Sequence, residues 1–319
     1  MAPCGVPVSP ADISLNKYSL EFQYEDIRRA TRCFDPQLRL GKGAFGAVFR
    51  GLRADGTEVA VKAIDVPAEG GFEEEVRVLS KFRHPNLVIL MGFARYGSKR
   101  FLIYELLEGG DVYKRLQRSS IEGKPFPWRC RVGAAYDAAC GLSHLHNSEP
   151  EAFHRDIKSA NILLDRNGTA KMADFGLSCL SCTRSLLVQM ASGTPGYACP
   201  QYVRSRVVTE GSEVYSFGVV LLELLTGSPP AWQVAGAKDY NFLVSAVGCD
   251  VRKALGLVDK AVRWPQGVAS TLAQWAVLCT AEAETSRPSF AELVAALRPM
   301  RDAPDAPADV WAPQAVVAA

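Results

Sequence analysis

The stretch His154-Arg155-Asp156-Ile157-Lys158-Ser159-Ala160-Asn161, followed eighteen residues beyond Asp156 by Asp174-Phe175-Gly176, decides the reading of this chain. Working outward from it, the next stretch that carries chemistry is Gly41-Lys42-Gly43-Ala44-Phe45-Gly46-Ala47-Val48. Glycines at Gly41, Gly43 and Gly46 let a hairpin backbone approach phosphate oxygens with its amides exposed. Taken alone the signal is weak, because glycine-rich turns are common and most bind nothing. A dinucleotide fingerprint would open a helix, whereas a strand-like run follows here, and a P-loop fails for want of Gly-Lys-Ser/Thr. Val59-Ala60-Val61-Lys62 then places one lysine in an apolar strand facing the glycine loop. A buried lysine is costly unless paired. Glu75, on the helix face it shares with Leu79, offers a partner. The competing reading is a surface lysine and one of three exposed glutamates, Glu73 to Glu75, and the pair in isolation does not separate the two.

All of these parts occur in one order, and that order resembles the protein kinase signature. The chain is similar to protein kinases over about residues 34–300, and within them to the receptor-like and Pelle-type branch of the tyrosine-kinase-like group. Tyr24, Ala30-Thr31 and Phe34 before the domain carry that closer likeness. So do Leu102-Ile103-Tyr104-Glu105, the run from Asp156 through Asn161-Ile162-Leu163-Leu164-Asp165, Cys279 and Arg287-Pro288. The resemblance implies an α+β, two-lobed fold: a small antiparallel β-sheet lobe with one helix, and a larger, mainly helical lobe. It also implies an ATP-dependent serine/threonine kinase acting with Mg2+, or Mn2+ in its place, on protein substrates and in signalling.

Roles follow from the resemblance residue by residue. Phosphoryl transfer needs positioning and charge neutralisation more than covalent help. Lys62 is expected to hold the α- and β-phosphates and pair with Glu75, under the glycines Gly41, Gly43 and Gly46. Asn161 and Asp174 are expected to bind magnesium as hard oxygen ligands. Asp156 orients the substrate hydroxyl, and Lys158 neutralises the transferring phosphate. Val48, Ala60 and Leu163 sandwich adenine, and backbone groups of Glu105 to Leu107 meet its edge. Tyr104 takes the gatekeeper position. Asp111 contacts the ribose or, equally, caps a helix. Lys158 together with Thr194 in Gly193-Thr194-Pro195-Gly196-Tyr197 resembles serine/threonine rather than tyrosine kinases.

The organisation along the chain agrees. Residues 1–20 hold three prolines and no sustained period, which predicts a loose extension before a kinase domain over 21–302. An amphipathic helix is expected near Phe22, Ile27 and Ala30. A hairpin follows over 46–50 and 58–64, turning at Ala54-Asp55-Gly56. The spacing predicts a helix over 72–82 and strands over 87–93 and 101–106, giving a small lobe of about 34–106. Beyond Gly109 the pattern predicts helices over 111–118, 129–146, 214–226, 272–279 and 289–300, a second lobe of about 108–300. The alanine- and proline-rich residues 303–319 read as a disordered tail.

Composition excludes several other classes. The net charge of +2 argues against nucleic-acid binding. No apolar run is long enough to span a bilayer, no signal peptide pattern is present, and Ala2 stands where myristoylation needs glycine. Nine cysteines, an odd number, fit free thiols and a cytoplasmic setting better than a disulfide framework. An upstream receptor or adaptor is an expected partner; the oligomeric state is open. Cys179 and Cys182, just after Asp174-Phe175-Gly176, read as coincidence or as a reversible disulfide in the activation loop.

Three departures from the family pattern keep a second reading open, that of a nucleotide-binding pseudokinase scaffold. Cys199-Pro200-Gln201 replaces the usual Ala-Pro-Glu, so that Arg287 loses a charged partner; breaking a buried pair costs about 3–5 kcal/mol. Glu213 replaces the aspartate that anchors the catalytic loop. Val188 and Gln189 stand where the branch has a Ser/Thr pair, leaving Ser181, Thr183, Ser185 or Ser192 as activation-loop candidates.

Overall fold

The computed structural model describes residues 15–43, 46–64, 71–121, 126–233 and 239–303. Most of the expected extension and tail lies outside these residues. Where the extension is described, Leu15–Lys17 forms a 3-10 turn and Leu15 is completely buried. Residues 1–20 carry no sustained period, so nothing announced its burial.

Helix α1 (Tyr24–Ala30) precedes strands β1 (Arg39–Gly43), β2 (Gly46–Leu52) and β3 (Glu58–Ile64), then α2 (Gly71–Lys81), β4 (Leu90–Tyr96) and β5 (Lys99–Glu105). The five strands form one antiparallel sheet in the order β1-β2-β3-β5-β4. Side chains alternate across a strand, and the two faces have different tasks. Val59, Val61, Phe101 and Ile103 pack outward against Ile27 of α1. Lys62, Leu102 and Tyr104 point the other way, toward α2 and the second lobe. Alternation therefore takes a lysine from an apolar strand and aims it into the cleft.

The segment expected as strand over 87–93 enters β4 only at Leu90. Its first residues instead pair with the second lobe, where Val88 N–H donates to Met172 O at 2.9 Å and Met172 N–H to Asn86 O at 2.9 Å. The same stretch thus ties the lobes together.

The second lobe opens with β6 (Gly110–Asp111), α3 (Val112–Ile121) and α4 (Trp128–His146). Short strands follow: β7 (Glu151–Phe153), β8 (Ile162–Leu164), β9 (Ala170–Met172), β10 (Cys179–Ser181) and β11 (Ser185–Leu187). Helix α5 (Pro200–Ser205), β12 (Val207–Thr209) and α6 (Glu210–Thr226) come next. Helices α7 (Leu243–Val247), α8 (Val251–Gly256), α9 (Gln266–Cys279) and α10 (Phe290–Arg301) complete the lobe. α6 is its axis, buried from Ser212 to Val214 and from Phe217 to Thr226. It starts four residues before its apolar run, because Thr209 and Ser212 form a reciprocal capping box. Gly227 closes it in the left-handed conformation.

Candidate active site

Three elements converge on Lys62. Its ammonium lies 2.9 Å from Glu75 Oε2 on α2 and 2.7 Å from Asp174 Oδ1 just beyond β9. The Lys62 side chain is 9 % exposed and that of Glu75 1 %, so the surface reading of the pair is excluded. Burial works against the ammonium, but the two carboxylates outweigh it and hold Lys62 charged. Burial likewise opposes the Asp174 carboxylate, and Lys62 overrides it and lowers its pKa.

The Glu75 carboxylate is fully committed. Its second oxygen accepts from the Tyr104 hydroxyl at 2.6 Å and from Phe175 N–H at 3.1 Å. Phe175 is completely buried, with its ring 4.6 Å from that of His154. Glu75 thereby links α2, the strand at the lobe junction and the Asp174 loop. Tyr104 was legible as a position, but its bond to Glu75 was not, since 29 residues and a change of element separate them.

The second cluster sits on the loop between β7 and β8. Asp156 accepts Lys158 Nζ on Oδ2 at 2.6 Å and the Thr194 hydroxyl on Oδ1 at 2.7 Å. Lys158 also donates to Thr194 Oγ1 at 2.9 Å. Asn161 Nδ2 donates to Asp156 O at 2.8 Å and to its Oδ2 at 3.1 Å. Asn161 Oδ1 and Asp174 Oδ2 receive no hydrogen bond from the described residues. They are hard oxygen donors left free on neighbouring loops, which suits a magnesium ion.

The expected nucleotide-binding positions are arranged around the cleft as follows. Gly41 on β1 and Gly46 on β2 flank the hairpin turn, and a Cβ at Gly41 would meet no atom within 4 Å. Gly46 has φ +138°, and a Cβ there would lie 1.9 Å from Ala63 O, so only glycine fits. Gly43 ends β1, and Ala44 and Phe45 lie outside the described residues. Val48, Ala60, Leu107 and Leu163 are half-buried apolar side chains, and Ala60 and Tyr104 are cross-strand partners. Glu105 binds Lys171 at 2.8 Å and Ile89 N–H at 2.8 Å through its side chain. Asp111 caps α3, its Oδ1 accepting Lys114 N–H at 2.7 Å. The capping reading is therefore realised, and the Oδ2 is paired with Lys114 Nζ at 3.0 Å.

Two of the three departures from the family pattern have local compensations. Arg287 Nη2 donates to Gln201 Oε1 at 2.9 Å, and Nη1 donates to Cys199 Sγ at 3.2 Å and to Gly211 O at 3.0 Å. Gln201 Nε2 donates to Glu282 O at 2.6 Å, a bond that no carboxylate could make. Glu213 accepts the Arg155 N–H on Oε1 at 2.5 Å, so the longer side chain still reaches the loop. Arg155 stands at φ 66° and Asp174 at φ 62°. A left-handed non-glycine residue costs about 1–3 kcal/mol and persists only where its surroundings over-determine it. The Arg155 guanidinium supplies part of that, donating to Leu177 O, Met190 O and the Tyr202 hydroxyl.

Among the described residues no group of three metal-ligating side chains of the Cys/His/Asp/Glu type occurs. Cys179 and Cys182 are free thiols, the first half-buried and the second exposed.

A protein kinase domain model matches residues 34–297, and the chain belongs to the protein kinase family. Its curated relatives lie among plant receptor-like and Pelle-type serine/threonine kinases. It is 36 % identical to the probable serine/threonine-protein kinase PBL18 of Arabidopsis thaliana over 87 % of this chain and 76 % of that one. It is 35 % identical to the serine/threonine-protein kinase BIK1 of the same plant, over 88 % of this chain and 76 % of the relative. With the proline-rich receptor-like protein kinase PERK3, also from Arabidopsis thaliana, the identity is 41 % over 70 % of this chain; the match spans only 44 % of that longer protein.

Proposed function

We propose that the chain is an active serine/threonine protein kinase that transfers the γ-phosphate of ATP to hydroxyl groups of protein substrates. The observation that carries this reading is Lys62 bound at once to Glu75 and Asp174, while Asp156, Lys158 and Asn161 form one hydrogen-bonded cluster on the adjacent loop. In this reading Lys62 draws the α- and β-phosphates into the cleft beneath the Gly41–Gly46 hairpin. Asn161 Oδ1 and Asp174 Oδ2 would hold magnesium, which when bound neutralises charge between the phosphates. Asp156 receives the substrate hydroxyl in place of the Thr194 hydroxyl that it now binds, and orients it for in-line attack. Lys158 stands 2.6 Å from Asp156, beside the path of the transferring group. Lys158 and Thr194, which meet at Asp156, resemble the serine/threonine branch of the family, and the relatives' names support serine/threonine rather than tyrosine acceptors.

Signalling downstream of a receptor or adaptor, in the cytoplasm, belongs to the same proposal. It is supported by the relatives' names, by the free cysteines and by the want of any helix among the described residues long and apolar enough to cross a membrane. Against the pseudokinase reading, Gln201 reaches Arg287 and Glu213 reaches the Arg155 amide, the partners that the family's residues would serve. The deciding measurement is autophosphorylation with magnesium-ATP. General-base contributions of this kind amount to about 10²–10⁴-fold, so Asp156→Asn should lower turnover by at least about 100-fold. Equal phosphate incorporation by wild type and variant, or none by wild type, refutes catalysis by this site.

A further inference from the structure

Helix α4 ends in a histidine that the phosphoryl-transfer chemistry does not use. The His146 side chain is 1 % exposed. Its Nδ1 lies 2.8 Å from Glu151 Oε1 on β7, and its Nε2 lies 2.8 Å from Glu213 Oε2 on α6. The other Glu213 oxygen accepts the Arg155 N–H. A continuous chain of hydrogen bonds therefore runs from Glu151 through His146 and Glu213 to the backbone of the residue before Asp156.

We propose that Glu151 is a positioning residue for the catalytic loop: it fixes His146, which fixes the Glu213 carboxylate against the Arg155 amide and so sets the Arg155–Asp156 backbone. The inference rests on the kinase reading above. The geometry requires it in the following way. A neutral imidazole has one N–H and one lone pair, so with a carboxylate oxygen 2.8 Å from each nitrogen it would set a lone pair against an anion. Only the doubly protonated ring satisfies both neighbours. The ring is clamped between Phe153, at 5.4 Å, and Phe290, stacked at 5.1 Å, so it cannot turn away from either acid. Glu213 in turn is 3 % exposed. Without a donor on Oε2 its carboxylate would be buried with one oxygen unsatisfied and free to rotate off Arg155.

The charged groups around the ring come from three elements. β7 contributes Glu151, α6 contributes Glu213 and, further off, Glu210, and the catalytic loop brings His154 near Glu213. α10 contributes the apolar ring of Phe290. Burial pushes the imidazolium pKa down, but the acids override it and raise it to about 9. The sign follows: the pairing is complete below the ordinary histidine value and is lost as the pH climbs through about 9.

The test uses the full chain and three variants, Glu151→Gln, Glu151→Asp and, for assignment, His146→Gln. With four histidines in the chain the imidazole resonances can be followed individually by NMR. Glu151→Gln should lower the His146 midpoint by roughly one pH unit or more, since a charged partner is lost. The alkaline limb of kcat should move down by the same interval, with KM for ATP unchanged within about twofold. Glu151→Asp keeps the charge and should hold both values closer to wild type. Hydrogen exchange of the Arg155 amide supplies a readout that needs no turnover, and its protection should fall in Glu151→Gln. An unmoved His146 midpoint, an unmoved kcat profile, or unchanged Arg155 protection overturns the proposal while leaving the kinase reading intact. Wild type without phosphoryl transfer at any pH overturns the kinase reading instead, and the exchange measurement then still decides the role of Glu151.

Discussion

The Lys62 cluster and the Arg287 anchor are both built around a buried cation, yet they hold it by different means. Lys62 lies between two carboxylates, within 3 Å of each. Arg287 is almost as buried, at 8 % exposure, but its bonds run to carbonyls, a carboxamide and a thiol. The difference follows from what each cation must do. In the proposed kinase reading Lys62 exchanges a carboxylate for a phosphate, so partners that match its charge suit it. Arg287 only has to hold two segments together. A guanidinium offers five donors in a fixed fork, and five neutral acceptors of the right placement can serve for one anion. Arg155 follows the second pattern, with three neutral acceptors from the activation segment and α5.

The comparison breaks most visibly at the charged cluster. Lys62→Met should abolish measurable phosphoryl transfer while the fold survives, since the removed charge faces a cleft. Asp174→Asn should remove magnesium-dependent turnover, because metal-borne charge stabilisation is worth several kcal/mol, or about 100-fold and more. Kinase assays paired with circular dichroism check both variants. Normal turnover in either, with the fold intact, would mean that the charges there are structural, as at Arg287.

A smaller effect is expected at the anchor. Gln201→Ala removes the acceptor for Arg287 and the donor to Glu282 O, and should cost roughly 2 kcal/mol. Gln201→Glu restores the charge but loses the Nε2 donor and sets a carboxylate oxygen against the Glu282 carbonyl. The two changes oppose each other, so stability should stay within about 0.5 kcal/mol of wild type, the range of neutral substitutions. Denaturant melts of the three proteins give the answer. A clear gain in Gln201→Glu would show that the neutral cage is a deficit and not a substitute.

What the sequence disclosed divides along the same line. Lys62, Glu75, Asp156, Lys158, Asn161 and Asp174 could be named in advance because their order resembles the protein kinase signature. The alternation of β3 and the spacing of α2 offered Glu75 as a partner for Lys62 without excluding a surface lysine and an exposed glutamate, and the buried ion pair decides between them. The contacts that replace lost charges were not legible. Cys199 meets Arg287 across 88 residues, and the Tyr104 hydroxyl meets Glu75 through a tertiary approach of sheet and helix. The role of His146 was not legible either, because nothing in a linear pattern shows that Glu151 and Glu213 close on it from two sides. Helix starts were misplaced for a related reason. α6 and α9 begin before their apolar runs, with polar or small first turns that periodicity does not register.

The smallest effect is expected at Cys179 and Cys182, where the anchor's reliance on neutral groups meets its sharpest test. Both thiols are free, and Cys179 sits on β10, paired to β7 directly before the catalytic loop. Cys179 can open a disulfide switch only as its thiolate, because only the thiolate attacks. Burial pushes the Cys179 thiol up to about 12, although Arg155 nearby pulls the other way. The strand pairing of Cys179 with Phe153 also holds its backbone in place. Cys179 therefore acts as a neutral, half-buried side chain, in keeping with the uncharged contacts of the rest of the segment. Mild oxidant should leave the kinase activity of wild type and Cys179→Ser equal, and reductant should restore nothing to either. Inhibition of wild type alone, reversed by reductant, would show that this segment does carry an ionisable switch and would break the contrast with the Lys62 cluster.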